Sequence, residues 1–412
     1  MKRTILSAFI VIAFSSSVAA TDWPRWRGPN ANGISAEKGW NAQALKNVRI
    51  LWDIDIGRGH SSVSVKDNYL YTMGGKMVIT GKDTTFTDIV YCLDANTGKE
   101  IWRYSYPTQW QNFPGPASTP TVDGDKVYTF SRDGDLFCFH ARNGRVVWGK
   151  NIVSEGLAPI PDWGFCASPV VEGDLLLINA GKSGLALDKQ TGRIEWRSEN
   201  TPGNLATPVV FDHQNHRVAA ILGNNTLYLI DVKTGSEIWS YRWETSNTDP
   251  IPFGNKLFLT GYDGGAAVLE NGTEQPKVIW QKKRIRCRTW QNYIVIDGYA
   301  YGFGLVRRKQ PLQCIDLATG EVKWRQEMDD WGSLMAAGDK LIILDGDGDL
   351  RIAKASPESY QEISSAKVLR MEHWQSYPQN ELKCCWTTPV LVNGKIYARD
   401  TWGGLVCVDV SR

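Results

Sequence analysis

The decisive stretch of this sequence is LDANTGKEIW at residues 93–102, because close copies of it return along the chain. IDVKTGSEIW at residues 230–239 is the second clear copy, and shorter matches end at Trp148, Trp196 and Trp324. A repeat of this length is typical of a β-propeller, in which each repeat folds into one four-stranded sheet, or blade. The sequence therefore predicts an all-β chain built from repeated blades.

The tryptophan of the repeat returns at a nearly constant interval. It stands at positions 52, 102, 148, 196, 239, 280 and 324, so successive copies are 41 to 50 residues apart. Between them, short runs of β-branched and aromatic residues alternate with turns that contain Gly, Asp and Asn, a pattern that favours hairpins. Each unit thus predicts four antiparallel strands, with the tryptophan on the last strand.

The two ends of the repeat array fix the number of blades. Trp52 has no Asp-x-x-Thr-Gly turn before it, and in the last unit no tryptophan follows Asp409. We therefore predict that residues 49–52 supply the outer strand of the last blade, which closes the ring and removes two sheet edges. The unit at about 332–368 lacks the tryptophan, and residues 360–363 are predicted to fill its place. The prediction is an eight-bladed propeller; a seven-bladed ring and an open solenoid are the alternatives.

The N-terminus predicts export. Two basic residues precede an apolar stretch that ends near Val18, and the small residues after it favour cleavage after Ala20. The stretch is too short to span a bilayer, which takes about 20 residues. We predict a signal peptide at 1–20, an N-terminal extension at 21–46 and the propeller at 47–412. The mature chain is expected in the periplasm or outside the cell, as a monomer with no transmembrane segment.

The charge balance argues against nucleic acid as a partner. The formal net charge is +2, and removal of Lys2 and Arg3 with the signal peptide leaves 44 basic and 44 acidic residues. Proteins that bind nucleic acid usually carry a clear basic excess. A small polar ligand, a glycan or another envelope protein is the expected partner.

The eight cysteines fall into two groups. Four share one place in the repeat, and since neighbouring sheets pack about 10 Å apart while a disulfide needs Cα atoms about 4.4–6.8 Å apart, we expect them to be buried and unpaired. These are Cys92, Cys138, Cys314 and Cys407. The others, Cys166, Cys287, Cys384 and Cys385, precede inner strands. Cys384 and Cys385 either close a strained vicinal disulfide or remain two thiols. No Cys-x-x-Cys metal spacing occurs.

The loops that lead into the inner strands carry residues that the repeat does not explain. In a propeller these loops surround one mouth of the central channel, and here they contain additional Trp, Arg, Asp and His. Aromatic faces beside charged and amide groups suit a polar ligand with flat apolar faces, such as a sugar or a quinone. The alternative is that these tryptophans merely plug the channel. The candidate ligand-binding residues are Arg58, His60, Trp110, Trp163, Arg288, Trp290, Trp331, His373 and Trp386.

Two insertions exceed the repeat, at about 74–88 and about 365–383. Because the first and last blades are neighbours in a closed ring, both insertions are expected beside the same mouth, where long loops often carry function. Acid–base chemistry there would use groups such as His60, Asp249, Arg288 and Asp330, which are the catalytic candidates. The carboxylate separation that such a mechanism requires is not set by the sequence.

Two motifs with metal-like spacing have simpler explanations. DGDGD at residues 345–349 resembles a calcium loop, but Ser356 stands where an EF-hand needs Glu, so a hairpin turn is favoured. His213 and His216 lie in a polar segment with Asp212 and Asn215, which favours a solvated turn. We therefore predict no metal site from either motif.

The Asp-x-x-Thr-Gly-x-x-x-Trp repeats resemble the tryptophan-docking motifs of pyrroloquinoline-quinone (PQQ) repeat propellers. That family includes quinoprotein alcohol dehydrogenases and BamB-type outer-membrane assembly factors. The resemblance covers about 47–412, and DWPRWRGPN at 22–30 resembles the start of exported bacterial members. Dehydrogenases of this family hold PQQ between a Trp and a disulfide of adjacent cysteines, with calcium nearby. The resemblance thus implies PQQ and calcium beside Cys384, Cys385 and Trp386.

The resemblance leaves the activity open. No residues here match the calcium-binding Glu, Asn and Asp or the catalytic Asp of the dehydrogenases, and the lipid-bearing Cys of BamB-type proteins is absent. We favour an exported binding or interaction scaffold with a polar-ligand or glycan site at the channel mouth, because no complete catalytic set is readable. The alternative is an enzyme at that mouth, either a PQQ-dependent alcohol or sugar dehydrogenase or a carbohydrate-active enzyme.

Overall fold

The computed structural model describes residues 22–80, 83–109, 115–244, 248–287, 292–307, 309–328, 331–370 and 385–412. These residues form eight antiparallel sheets that are the blades of a β-propeller, which confirms the predicted fold class. Seven sheets have four strands and one has a short fifth strand. Among the described residues, no helix is long and apolar enough to cross a membrane.

The strands follow one another in the order that the repeat predicts. Before the first blade stand β1 (Ile34–Ser35), a 3-10 helix (Ala44–Asn47) and β2 (Arg49–Asp55). Blades one to four are β3 (Ser64–Lys66), β4 (Tyr69–Thr80), β5 (Asp83–Asp94), β6 (Glu100–Thr108); β7 (Thr121–Asp123), β8 (Lys126–Phe130), β9 (Asp135–His140), β10 (Val146–Asn151); β11 (Val170–Glu172), β12 (Leu175–Ile178), β13 (Leu185–Asp188), β14 (Ile194–Arg197); and β15 (Val209–His213), β16 (His216–Leu222), β17 (Thr226–Asp231), β18 (Glu237–Arg242).

The remaining four blades repeat this order. They are β19 (Ile251–Phe253), β20 (Lys256–Thr260), β21 (Ala266–Glu270), β22 (Lys277–Lys282); β23 (Ile294–Ile296), β24 (Tyr299–Phe303), β25 (Leu312–Asp316), β26 (Val322–Gln326); β27 (Ser333–Ala337), β28 (Lys340–Leu344), β29 (Asp349–Lys354), β30 (Gln361–Lys367); and β31 (Val390–Val392), β32 (Lys395–Arg399), β33 (Gly404–Asp409). The outer strand of each blade is its most exposed strand, because the inner strands pack between the neighbouring blades.

The ring closes through β2, as predicted. This strand pairs antiparallel with β33, from Arg49 opposite Asp409 to Asp55 opposite Gly404. It therefore completes the last blade from the N-terminal side of the first blade. A second connection crosses the same junction, since the buried guanidinium of Arg399 donates to the carbonyls of Ser61 (2.8 Å) and Met73 (2.7 Å).

The repeat tryptophan joins each blade to the next one. In six of the seven repeat tryptophans the indole NH donates to a carbonyl just after the turn aspartate position of the following blade: Trp52 to Ala95, Trp102 to Ala141, Trp148 to Lys189, Trp196 to Val232, Trp280 to Leu317 and Trp324 to Ser356. The buried indole NH of Trp239 makes no hydrogen bond of this kind to the described residues. The ring of the repeat tryptophan covers the glycine of that turn so closely that a Cβ added to Gly98 would lie 2.9 Å from Trp52. The glycine of the motif is thus required by contact as well as by its positive φ.

The seventh blade corrects one sequence prediction. In the other blades the tryptophan lies opposite a residue of the third strand, as Trp102 lies opposite Cys92. In blade seven this place is opposite Ile352 and is occupied by Ser364, outside the predicted residues 360–363. Sequence alone missed it because the turn between β29 and β30 lacks the Asp-x-x-Thr-Gly motif, and Ser364 follows the end of β29 by ten residues where Trp102 follows Asp94 by eight. The Ser364 hydroxyl donates to the carbonyl of Ala42, so the N-terminal extension covers the place of the missing indole.

The N-terminal extension lies across the inner side of the ring. Trp23 pairs with Val65 of the first inner strand, and the carbonyl of Gly33 accepts from the amide of Ala336 in the seventh blade. Between them, Arg27 donates to the carbonyl of Tyr293 in the sixth blade (3.0 Å). Residues 22–37 therefore connect blades that are distant in sequence.

The cysteines of the repeat place behave as predicted. Cys92, Cys138, Cys314 and Cys407 are fully buried and unpaired with one another. Cys385 is also buried, but Cys384 lies outside the described residues, so the vicinal disulfide stays a prediction. The first insertion lengthens the β4–β5 hairpin, and the second falls largely on residues 371–384, outside the described ranges. Whether the two insertions meet therefore stays a prediction.

The discounted motifs are hairpin turns, as predicted. Residues 345–348 connect β28 to β29, and the Asp345 carboxylate accepts from the amide of Asp349 and from Arg351. His213 and His216 flank a two-residue turn whose central residues have φ of 50° and 65°. Backbone and side-chain donors of the chain itself thus explain both motifs.

Tryptophan docking can be tested at a turn glycine. Gly144 and Gly156 both have φ +67°, but an added Cβ would lie 2.6 Å from the Trp102 ring at Gly144 and would meet nothing within 4 Å at Gly156. Gly156→Ala should lower the free energy of unfolding by about 1–2 kcal/mol, the penalty of a left-handed backbone. Gly144→Ala should lower it further, because the indole must move. Thermal unfolding of both variants measures the difference, and equal losses would show that the contact is not tight.

Candidate functional site

A pocket opens at one mouth of the channel, where the loops that enter the inner strands converge. It contains about 740 Å³ of space between atoms, part of which is open to solvent. The described lining comes from the N-terminal extension and seven blades: Trp26, His60, Ala117, Arg132, Trp163, Cys166, Ser168, Leu205, Thr207, Asp249, Asn292 and Trp386. Aromatic, cationic, anionic and hydroxyl groups therefore face one space, as in sites for polar ligands.

A chain of hydrogen bonds runs around the base of these loops. In blades two to six, the residue two positions before the inner strand accepts, through its side chain, the backbone NH of the equivalent residue in the preceding blade. The chain runs Ser62 to Thr119 (3.1 Å), Thr119 to Ser168 (2.9 Å), Ser168 to Thr207 (3.0 Å), Thr207 to Asp249 (2.8 Å) and Asp249 to Asn292 (2.8 Å). These bonds hold the pocket-lining loops in a fixed order.

Asp249 is the charged member of this chain, where the other five residues are neutral. Its carboxylate accepts from the Trp26 indole NH (2.7 Å), the Thr207 amide (2.8 Å) and the Asn292 side-chain amide (3.0 Å). Burial raises the pKa of Asp249, while the nearby Arg27 charge and the three donors oppose that rise. The carboxylate thus anchors the N-terminal extension to the ring and lies in the pocket wall.

Three aromatic rings stack along the opposite wall. The rings of His60 and Trp386 are 5.1 Å apart at 18°, and those of Trp331 and Trp386 are 5.2 Å apart at 15°. Such offset parallel rings pack favourably. Sequence reasoning identified all three residues as site candidates, and the structure brings them into one stack. Trp386 and His60 line the pocket, whereas Trp331 lies behind them.

The environment of His60 keeps its imidazole neutral. Burial, followed by the charges of Arg132, Arg399 and Arg58, lowers the pKa of His60 well below its usual value. Arg58 is buried, and its guanidinium lies 4.7 Å from the centre of the Trp402 ring. Arg58 does not line the described part of the pocket and therefore acts on His60 through its charge.

Arg132 and Trp163 form the third wall. Trp163 is 44% exposed, so part of its side-chain surface faces solvent at the edge of the pocket. Its carbonyl accepts from Nη1 of Arg132 (2.5 Å), and the carbonyl of Gly115 accepts from Nε (2.7 Å). Cys166 lies beside them, and burial raises the pKa of its thiol, which therefore stays protonated at neutral pH.

The structure places only part of the predicted site. His60, Asp249, Trp163 and Trp386 share the pocket. Arg58 and Trp331 are described but do not line it. Five further predicted residues lie outside the described ranges and stay predictions, namely Trp110, Arg288, Trp290, Asp330 and His373.

Sequence reasoning missed Trp26, Arg132, Ser168 and Thr207. Ser168 and Thr207 were detectable, because both stand two residues before an inner strand, like Asp249. Arg132 lies in the turn between β8 and β9, and its charge was a detectable signal, because the equivalent residues Tyr262, Gly346 and Thr401 are uncharged. Trp26 could not be found this way, since no repeat fixes where the extension runs.

The described residues do not fit the calcium site that the resemblance implies. Within the described ranges, no group of three or more His, Cys, Asp and Glu side chains is placed to hold a metal ion. Asp249 already accepts three hydrogen bonds. Calcium prefers six to eight oxygen ligands, several of them carboxylates, and the described residues of the pocket do not supply such a set.

Comparison with known proteins identifies relatives of two kinds. A family model described as outer membrane protein assembly factor BamB matches residues 86–326 and, in an overlapping position, 223–412. BamB of Yersinia pestis is 22% identical over 335 residues, which cover 77% of this chain and 68% of that protein. Quinohemoprotein alcohol dehydrogenase ADH IIB of Pseudomonas putida is 28% identical over 197 residues, or 44% of this chain and 26% of the enzyme. The chain spans about a quarter of the length of that dehydrogenase.

Solved structures give the same pair. BamB from Moraxella catarrhalis superimposes with a TM-score of 0.61 and 15% identity, over 88% of this chain and 97% of that one. Quinohemoprotein alcohol dehydrogenase ADHIIG from Pseudomonas putida HK5 superimposes with a TM-score of 0.68 and 13% identity, over 95% and 80%. At these identities the likeness shows the fold, because one fold hosts many functions.

The neutral state of His60 predicts how stability depends on pH. Below about 6.5 the unfolded chain binds a proton that the folded protein does not, so the free energy of unfolding should fall as the pH falls. His60→Gln should remove up to about 1.4 kcal/mol per pH unit from this slope. Thermal unfolding between pH 5 and 8 measures it, with His216→Gln at an exposed histidine as the control. Equal slopes for wild type and His60→Gln would show that His60 is protonated in the fold.

Proposed function

The chain belongs to the β-propeller family described as outer membrane protein assembly factor BamB, and from this membership and the mouth pocket we propose that it is an exported binding protein for a saccharide. The observation that carries the proposal is the pocket itself. Exposed aromatic surface and fixed polar groups line the same space, which is what the apolar face and hydroxyl edge of a sugar ring require.

The geometry of the pocket supports a small ligand. Trp163 offers an apolar surface on one side, while Asn292 and Thr207 offer amide and hydroxyl groups on another. The hydrogen-bond chain holds these loops before the ligand arrives, so little ordering is required on binding.

Export is part of the proposal. It rests on the signal-like N-terminus, cut near Ala20, and on relatives that are named as outer membrane protein assembly factors. We further propose that the protein acts in the periplasm or outside the cell, as a monomer. Mass spectrometry of the protein from fractionated cells gives the cleavage position, and an uncut chain in the cytoplasm would contradict this part.

An enzyme at the same mouth is the second candidate function. The observation in its favour is Asp249, a buried carboxyl group in the pocket wall whose pKa is raised by burial, as in a general acid. However, a glycosidase mechanism of this kind needs two carboxyl groups, and the described lining residues include one, that of Asp249. We therefore favour binding over catalysis.

Saccharide binding should depend on the pocket aromatics. Trp163→Ala should weaken binding at least tenfold, because it removes the exposed apolar surface and leaves the repeat tryptophans in place. Tyr262→Ala is the matched control, since Tyr262 is also an exposed aromatic but does not line the pocket. Isothermal titration against a panel of mono- and oligosaccharides measures both variants. Unchanged binding in Trp163→Ala, or no binding by the wild type, would contradict the proposal.

A quinoprotein activity is tested separately. The purified protein is titrated with PQQ and calcium, and then assayed for reduction of an artificial electron acceptor by alcohols and sugars. We expect no acceptor reduction, because the described residues do not supply the calcium ligands. Reduction that requires both PQQ and calcium would instead establish the dehydrogenase alternative.

A further inference from the structure

Arg132 is a buried cation without an anionic partner in the described structure. It is 7% exposed, and no described carboxylate lies within ion-pair distance of its guanidinium. The two nearest acids in sequence are engaged elsewhere. Asp133 accepts from Thr108 and the Gln109 amide, and Asp135 accepts from Ser131 and Asn151. A buried charge without a counter-ion is unfavourable, so its retention requires an explanation.

The turn that contains Arg132 does not itself need an arginine. Residues 131–134 connect the second and third strands of blade two, and the Ser131 amide donates to the Asp135 carbonyl (2.8 Å). The same four-residue turn occurs in blades seven and eight. There the Asp345 amide donates to the Asp349 carbonyl and the Asp400 amide donates to the Gly404 carbonyl (3.0 Å each). Blade five has this turn as well, with the Gly261 amide donating to the Gly265 carbonyl (2.8 Å). The residue equivalent to Arg132 is Tyr262 in blade five, Gly346 in blade seven and Thr401 in blade eight, and none of these is charged.

The guanidinium is held in one orientation. Nε donates to the carbonyl of Gly115, and Nη1 donates to the carbonyl of Trp163. The next loop is shaped around it, because Gly164 has φ +72° and a Cβ added there would lie 2.8 Å from the Arg132 Cβ. Nη2 makes no hydrogen bond to any described residue, and the side chain lines the pocket. Of the three guanidinium nitrogens, Nη2 is thus left for a ligand.

The surroundings of Arg132 are cationic. Arg399 and Arg58 are buried on the same side of the pocket, and His60 between them is neutral. The carboxylate of Asp249 also lines the pocket, but Trp26, Thr207 and Asn292 already occupy it. An anionic group of a ligand would therefore meet Arg132 without competition from a described carboxylate of the chain.

We infer that the mouth pocket selects a saccharide that carries a carboxylate, a hexuronic acid, with the carboxylate on Nη2 of Arg132 and the sugar ring beside Trp163. The inference rests on the proposed saccharide binding and names its ligand class. Nη2 can donate to a carboxylate oxygen, and a hydrogen bond between two ionised groups is stronger than one between neutral groups. Neutral hexoses would leave the buried charge unpaired.

The test compares charged and neutral sugars of the same shape. Glucuronate and galacturonate are titrated calorimetrically into the full mature chain at pH 7, beside glucose and galactose at equal ionic strength. We expect the uronates to bind at least tenfold more tightly, with an affinity that falls as salt is added, while the neutral sugars show no salt dependence.

Variants assign the preference to one side chain. Arg132→Gln should reduce the uronate affinity to that of the neutral hexose and leave the neutral affinity unchanged. Arg132→Lys keeps the positive charge but not the planar guanidinium group, so it should retain part of the preference for uronates. Arg142→Gln is the control for net charge, because Arg142 is exposed and does not line the pocket.

Each outcome decides a different statement. Neutral sugars that bind as tightly as uronates, or a uronate preference that survives in Arg132→Gln, would overturn the inference while the proposed function stands. No binding of any sugar to the wild type would overturn both. The wild-type comparison and its salt dependence decide the inference even if Arg132→Gln does not fold.

Discussion

The docking of each repeat tryptophan on the next blade is the interaction on which the rest of the structure depends. In most blades the indole covers the turn glycine and donates to the neighbouring carbonyl, so one blade fixes the angle of the next. Trp52 makes the same contact from the last blade to the first, through Ala95. The closed ring follows from one local contact repeated around the circle, and the loops at its mouth inherit their positions from it.

Departures from the repeat mark the places where the molecule does something besides fold. Blade seven lacks its tryptophan, and the N-terminal extension covers Ser364 instead. Asp249 replaces a neutral acceptor in the hydrogen-bond chain, and Arg132 stands where equivalent turns have Gly346 and Thr401. The repeat shows what packing alone requires at each place. A charge that packing does not require, held in a pocket wall, therefore suggests a ligand.

The N-terminal extension connects the packing of the ring with the lining of the pocket. The same segment that pairs with Val65 and Ala336 on the inner side of the ring brings Trp26 to Asp249 in the pocket wall. The extension therefore stabilises the ring and shapes the site at once. Because Asp249 anchors it through a partly buried hydrogen bond to Trp26, a change in the extension would reach the pocket directly.

The sequence by itself determined the blade count, the closing strand and the burial of cysteines such as Cys92, since the repeat has one period and one docking contact. It also predicted a site at the mouth and named His60, Trp163 and Trp386. Only the tertiary structure decided that the extension crosses the ring, that Ser364 takes the tryptophan place, and that Arg132 faces the pocket. The physical reason is that these contacts join residues far apart in the chain, and no local pattern encodes such a meeting.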